Sequence, residues 1–268
     1  MITWIASYPK SGNTWVRSII SSYFFSETGD FDFSLLKKIS LYPGPKYFKN
    51  PIKKPGEVSL FWEISQKNII KKQKQTYLKT HNALVALNNK SFTSEKLTLG
   101  AIYIVRDPRN VVTSWANHSN YTIEEAANGL INANKIPGDL YKPEDKIKSY
   151  VYVGNWNGNY NSWKSFKFQE RYLLIKYEDL INSKEKTFIE VLNFIHKLKK
   201  VNLKIDQNKI KNVIRTTDFL NMKKLEQEEG FFESKVDKNT GKKIPFFNLG
   251  EKNDWRKLLN IEIVKKIE

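Results

Sequence analysis

The stretch Leu99–Val105 reads LGAIYIV. It carries no charge, shows no alternation, and stops at Arg106-Asp107-Pro108. A strand that is apolar on both sides must be covered on both sides. That argues against an antiparallel sheet with one wet face and for a parallel sheet with helices above and below. Asp107 suits a helix cap and Pro108 the first helical position, so a helix is expected directly after the strand. The pattern recurs along the chain. Residues 2–7 read as a buried strand, followed by a helix from Gly12 to about Phe25. Thr76–Thr80 reads as a short second strand. Tyr172–Lys176, YLLIK, reads as another, ahead of an amphipathic helix over 180–200 with Phe188, Val191, Leu192 and Ile195 on one face. Strands alternating with helices give an α/β class: one domain over 1–268, with a central parallel sheet flanked by helices.

The remaining segments are read as follows. Phe31–Pro55, rich in Pro, Gly and aromatic residues without a clean period, is expected to be irregular or a lid. Residues 145–168 are expected to be helical, as is the whole of 207–229. Glu233–Lys243 is charged and turn-rich and is expected to be a mobile loop. Residues 251–268 close the chain as a helix.

Composition narrows the chemistry. The chain has 268 residues and no cysteine, which excludes disulfides, thiol nucleophiles and zinc–thiolate sites. No apolar run approaches the roughly 18 residues of a membrane span. Residues 1–7 are too short for a signal peptide, so a cytoplasmic protein is expected. The net charge is +17. The excess is mostly lysine, since arginine occurs only at Arg17, Arg106, Arg109, Arg171, Arg215 and Arg256. Nucleic-acid readers lean on arginine, whose planar fork binds phosphate and bases bidentately. Nucleic acid is therefore disfavoured, while a positive field that attracts anionic ligands remains.

In a parallel sheet, ligands bind beyond the carboxyl ends of the strands. There the first strand runs into SYPKSGNTWVR, Ser7 to Arg17. The register follows a phosphate loop, G-x-x-x-x-G-K-[ST], but with Ser7, Gly12, Asn13 and Thr14 in the key places. Asn13 replaces the lysine that would reach the β- and γ-phosphates, and Lys10 appears earlier instead. Gly12 lets backbone approach an anion, and the amides of Gly12–Thr14 open a helix. Such a loop can hold a 5′-phosphate but is poorly matched to a triphosphate.

Further motifs make the chain recognisable. YPKSGNTW resembles the 5′-phosphosulfate loop of the soluble, cytosolic sulfotransferases that use 3′-phosphoadenosine 5′-phosphosulfate. VRDPRNVVTSW resembles their 3′-phosphate motif, which implies Arg106 and Ser114 as its ligands. LKTHNAL resembles the segment of the catalytic histidine, with Lys79, Thr80 and His81. IKYEDL and TDFLNM resemble the adenine-contacting motifs, with Tyr177, Thr217 and Phe219, and Trp15 would stack on the same base. NLGEKNDW keeps Gly250, Asp254 and Trp255 of the last motif. Asn248 and Leu249, however, stand where the family has an Arg-Lys pair. That puts tight 3′-phosphate binding in doubt, or leaves the task to Lys242, Lys243 or Lys252. The resemblance implies a P-loop nucleotide-kinase-like fold. It implies a donor site of Lys10, Ser11, Gly12, Asn13, Thr14, Trp15, Arg106, Ser114, Tyr177, Thr217, Phe219, Asn248, Leu249 and Gly250. Its product is adenosine 3′,5′-bisphosphate, and no metal is called for.

The implied reaction moves a sulfuryl group to an acceptor hydroxyl. His81 is the candidate base, because imidazole titrates near working pH. Lys10 and Lys79 would stabilise charge on the leaving phosphate. His118 and His196 are read as structural. The aromatics Trp156, Tyr160 and Trp163 are read as core, whereas Tyr42, Tyr47, Phe48, Phe61 and Trp62 are candidates for an acceptor pocket. The basic charge tilts the acceptor toward an anionic glycan or lipid head group. Three alternatives stand beside this reading: a nucleotide kinase, a lysine-rich nucleic-acid binder, and an inactive relative serving as a scaffold.

Overall fold

A computed structural model of the chain describes residues 1–48, 52, 55–73, 75–132, 151–166, 169–202, 204–237 and 240–268. Its centre is a five-stranded, all-parallel sheet with the order β2-β3-β1-β6-β7. The strands are β1 (Ile2–Ser7), β2 (Ser40–Leu41), β3 (Thr76–Thr80), β6 (Thr98–Val105) and β7 (Tyr172–Lys176). A small hairpin of β4 (Ala86–Leu87) and β5 (Lys90–Ser91) stands apart.

The uninterrupted apolar strands are explained by what covers them. Ile5, Ile102, Ile104 and Ile175 face a cluster shared with α1 (Asn13–Phe25), α7 (Lys184–Lys199) and α8 (Gln207–Thr216). Trp4, Ala6, Ala101 and Tyr103 face the opposite way, onto Trp62 of α2 (Ser59–Lys72), Trp163 of α5 (Trp156–Lys164), Tyr42 and Phe92. Each fully buried large side chain contributes roughly 1.5–3 kcal/mol, so both faces are strongly specified. Helices α3 (Pro108–Ser119), α4 (Ile123–Ile131) and α11 (Ile261–Ile267) form a further layer around Tyr8, Val112 and Trp115.

Several expectations need correction. Phe31–Pro55 is not simply irregular: it supplies the edge strand β2, and Tyr42 is fully buried. Tyr42, Phe48 and Trp62 are core side chains, so their aromatic character serves packing, while Tyr47 and Phe61 lie partly buried against them. Of the helix expected over 145–168, only Trp156–Lys164 forms; residues 151–155 are not helical, and 145–150 and 167–168 lie outside the described residues. The helix over 180–200 is two, α6 (Tyr177–Asn182) and α7, parted at Ser183. The helix over 207–229 is also two. Asp218 accepts the Leu220 N–H and starts α9 (Phe219–Glu229) as a new helix. The last helix divides likewise into α10 (Trp255–Leu258) and α11, where Asn260 caps the second. Periodicity alone does not see such caps inside a polar run.

Candidate active site

The carboxyl ends of β1, β3, β6 and β7 meet at one rim. Parallel register fixes what lies beside what. Ala6 pairs with Thr80, so His81 follows alongside Ser7. Val105 pairs with Lys176, so Arg106 follows alongside Tyr177.

The loop after β1 takes left-handed backbone at Lys10 (φ 63°) and at Gly12 (φ 98°). Such alternation turns successive amides toward one concavity. A side chain at Gly12 would come within 2.6 Å of the Tyr177 ring, so this position is closed to anything larger. Asn13 occupies the place of the kinase lysine but does not reach outward. Its Nδ2 donates to the Ile5 carbonyl at 3.0 Å and to Ser7 Oγ at 3.2 Å, tying α1 to β1. Ser11 is fully buried and its Oγ has no partner among the described residues. A buried hydroxyl left alone is costly, and its position in the loop marks it for a ligand.

Arg106 is 6% exposed. It donates from Nη1 to the Lys10 carbonyl at 3.1 Å and lies 4.0 Å over the Tyr177 ring, while its Nε has no partner among the described residues. Trp15 meets Tyr177 edge-on at 5.9 Å. Trp15 and Phe219 both pack on the aromatic cluster of Phe31, Phe33, Phe231 and Phe247. Gly250 lies against Phe219, with 2.5 Å left for a β-carbon. Thr217 is fully buried and donates its hydroxyl to the Val213 carbonyl. Ser114 is half-buried on α3. At the degraded motif, Lys223 of α9 donates from Nζ to the Asn248 carbonyl at 3.2 Å. Sequence reading did not name it. Its place four residues after Phe219, on the same helix face, was the available signal.

His81 is 7% exposed. Its Nδ1 lies 2.8 Å from the Ser7 carbonyl oxygen and 3.3 Å from Ser7 Oγ. A carbonyl can only accept, so Nδ1 carries the proton and Nε2 keeps its lone pair. The backbone of His81 is held by Asn159 of α5, whose Nδ2 donates to its carbonyl at 3.1 Å. Trp163 donates to the Asn82 carbonyl at 2.9 Å. Thr80 uses its hydroxyl to accept the Asn82 N–H. Burial first, and then the Lys79 charge, lower the His81 imidazole to about 3, so it is neutral at physiological pH.

Three cations converge on the loop. Lys10 places Nζ 3.9 Å over the Phe246 ring, and burial, with Lys79 and Arg106 nearby, lowers it to about 7. Lys79 is 8% exposed and is likewise lowered, burial being the main cause. Arg17 on α1 is 2% exposed, and its Nη2 donates to the Leu36 carbonyl at 3.1 Å.

These cations enclose Glu233, which sequence reading assigned to a mobile loop. The described residues of that segment instead form a bridged turn, with Val236 paired to Lys243 and the Ile244 N–H donating to the Lys235 carbonyl. Residues 238–239 lie outside the described residues. Glu233 Oε1 is 2.7 Å from Arg17 Nη1, and Oε2 is 3.1 Å from Lys79 Nζ. Thr14 donates to Oε2 at 3.4 Å. Burial opposes the charged carboxylate, but Lys79 and Arg17 outweigh it and hold the group well below the usual carboxylate range.

His118, read as structural, also borders this centre. Its ring meets Phe246 edge-on at 5.5 Å, and Nδ1 is buried without a partner among the described residues. Burial, then the Lys10 and Lys235 charges, lower its pKa. His196 stacks on Phe24 at 5.9 Å, away from the rim, as expected for a structural residue. Among the described residues no group of His, Asp or Glu is arranged to hold a metal. No described helix is long and apolar enough to cross a membrane.

A parallel α/β sheet whose central strand delivers a phosphate-type loop, with lysines and a neutral histidine at its rim, defines the class of α/β folds that bind ligands beyond the carboxyl ends of their strands. Residues 2–268 match the sulfotransferase domain family, and the chain belongs to it. Among curated relatives, mouse (Mus musculus) Sulfotransferase 2A2 is 26% identical over 198 residues, which is 72% of this chain and 58% of that protein. The 3-beta-hydroxysteroid sulfotransferase of Cavia porcellus is 25% identical over 253 residues, 93% of this chain and 75% of the relative. The match to the mouse protein thus spans somewhat more than half of that relative's length. The fold resembles mouse sulfotransferase SULT7A1 complexed with PAP, at 18% identity and TM-score 0.57, covering 98% of this chain and 80% of that one. It also resembles retinol dehydratase in complex with androsterone and the inactive cofactor PAP, at 14% identity and TM-score 0.61, covering 99% and 78%.

Proposed function

We propose that the protein transfers the sulfuryl group of 3′-phosphoadenosine 5′-phosphosulfate to an acceptor hydroxyl. The observation that carries this reading is His81, whose proton is pinned on Nδ1 by the Ser7 carbonyl beside a loop that gathers Lys10, Lys79 and unpartnered Ser11 Oγ. The residues fit the donor. The Gly12–Thr14 amides and Ser11 Oγ suit the 5′-phosphate. Arg106, with Nε unpartnered, and Ser114 suit the 3′-phosphate. Trp15, Tyr177 and Phe219 suit the adenine, and Lys223 supplies a cation at the Asn248–Gly250 segment, which lacks the family's Arg-Lys pair.

The donor, when bound, supplies a sulfuryl group whose bond to the 5′-phosphate breaks, with the electron pair staying on the phosphate. Nε2 of His81 takes the hydroxyl proton as the acceptor oxygen bonds to sulfur. Lys10 and Lys79 offset the charge gained by the leaving phosphate. Ser7 holds the imidazole in the tautomer this needs, and Asn159 fixes the His81 backbone. The acceptor is proposed by its chemistry: a hydroxyl, on an anionic molecule that the +17 chain attracts. A kinase reading is disfavoured by Asn13, whose amide is committed to β1. In calorimetry, adenosine 3′,5′-bisphosphate should bind at least tenfold more tightly than 5′-AMP, about 1.4 kcal/mol. Arg106→Ala should erase that preference. Equal affinities for the two nucleotides in the wild-type protein would overturn the donor assignment.

A further inference from the structure

Arg17 has no role in the donor site described above, yet it is built into its floor. It lies three residues after Thr14 on α1, so the two side chains share a helix face. It is 2% exposed, and among the described residues its Nε has no partner. A buried guanidinium needs an anion, since its charge left uncompensated is strongly destabilising. The anion present is Glu233, brought in from a different part of the chain. Its two oxygens are shared by Arg17 at 2.7 Å, Lys79 at 3.1 Å and Thr14 at 3.4 Å.

Resting on the sulfotransferase reading, we propose that Thr14, Arg17 and Lys79 form the pocket for the transferring sulfuryl group, and that the Glu233 carboxylate is its internal stand-in. A carboxylate and a sulfuryl group both present oxygens about one bond from a central atom, and both seek converging donors. The single hydroxyl proton of Thr14 cannot serve Glu233 and the donor at the same time, and the charge of Lys79 is already compensated while Glu233 is paired to it. Two anions drawn to one pair of cations repel at contact distance. The donor therefore enters as Glu233 leaves, and Arg17 then faces the sulfuryl oxygens.

The surrounding segment permits a side-chain movement without unfolding. Phe231 is buried in the aromatic cluster. On the far side, Glu226 accepts the Phe246 and Phe247 N–H groups at 2.8 and 2.9 Å. Ser234 is bonded to the same carboxylate. Between these anchors about a fifth of the Glu233 side chain is exposed (21%), which leaves an outward path open to it. The Glu233 carboxylate offsets one of the two positive charges of Arg17 and Lys79. It also selects against weak anions, which must compete with a tethered carboxylate.

The test compares wild type, Glu233→Gln and the charge-balanced double variant Arg17→Met/Glu233→Gln. Their affinities for 3′-phosphoadenosine 5′-phosphosulfate and for adenosine 3′,5′-bisphosphate are measured by calorimetry without acceptor. Glu233→Gln should bind the phosphosulfate at least tenfold more tightly than wild type, with a smaller gain for the bisphosphate, which lacks the sulfuryl group. The double variant should lose that gain while keeping the net charge of the pocket at its wild-type value. Unchanged or weaker phosphosulfate binding by Glu233→Gln would make Glu233 a fixed counter-ion and overturn the proposal. A wild-type crystal structure with the phosphosulfate bound is a second test, free of mutation. Glu233 still paired to Arg17 there would also overturn it. If neither nucleotide binds any of the three proteins, it is the sulfotransferase reading that falls.

Discussion

His81 and His118 are both held neutral inside the folded protein, and this should appear as acid lability of a defined size. Burial lowers His81 from 6.5 to about 3, and lowers His118 as well. In the unfolded chain both return to ordinary histidine behaviour. Below about pH 6.5 the unfolded state therefore binds protons that the native state does not, and stability must fall as pH falls. The contribution is fully present above the unfolded pKa and is lost progressively toward the folded one. Between about pH 6 and about pH 5, each histidine should remove about 1.2 kcal/mol, roughly 2.5 kcal/mol for the pair. That is a large part of a typical stability of about 5–15 kcal/mol. Lys10, at about 7 in the folded protein, is charged in both states over this window and adds little slope. The assay is urea unfolding at half-unit pH steps. His196 is lowered too, by burial first and then by the Lys199 charge, and adds to the same slope. His81→Asn should take about 1.2 kcal/mol per pH unit off the slope, whatever it does to stability itself, because the slope counts protons and not contacts. A wild-type slope under about 0.5 kcal/mol per pH unit would refute the reasoning. So would an unchanged slope in His81→Asn.

His81→Ala should lower the single-turnover rate by roughly 10²–10⁴ with an aliphatic acceptor, while calorimetry shows bisphosphate affinity nearly unchanged. Lys10, lowered to about 7, is largely neutral at alkaline pH and should take up a proton when the nucleotide's phosphate arrives. Calorimetry near pH 8 in buffers of different ionisation enthalpy should detect that uptake, and Lys10→Met should abolish it. Asn248→Arg should tighten bisphosphate binding by roughly 1.5–3 kcal/mol without affecting 5′-AMP. Lys223→Ala should weaken the bisphosphate selectively, with both read in the same titration.

What the sequence made legible was what local chemistry dictates. LGAIYIV demanded cover on both faces and has it. Asp107 and Pro108 announced a helix, and Asp107 accepts the Arg109 N–H at its start. The loop could be read because Gly12 keeps the phosphate-loop pattern while Asn13 departs from its lysine in a way that has a mechanical meaning. What stayed hidden depends on long-range partners. Glu233 reaches Arg17 across 216 positions, and nothing in GFFESKV distinguishes it from a solvated acid. Asn159 looks like any polar residue until Tyr103, Val153 and His81 are seen to meet it. Tyr42 and Trp62 misled because aromatic residues serve cores and ligand pockets alike.

Under the proposed function, the bond from Ser7 to His81 has a consequence for how the protein can change. The imidazole hangs from the last residue of the strand that also makes the nucleotide loop. His81 and the loop are therefore one mechanical unit, referenced to neighbouring strands at the middle of the sheet. Surface segments around the rim can be lengthened, exchanged or recharged without altering the distance between proton acceptor and loop. A library aimed at new acceptors should therefore hold β1 and β3 constant and vary the peripheral loops. Substitutions at Ser7, Asn13 or Asn159, none of which need touch an acceptor, should prove the least tolerant positions in it.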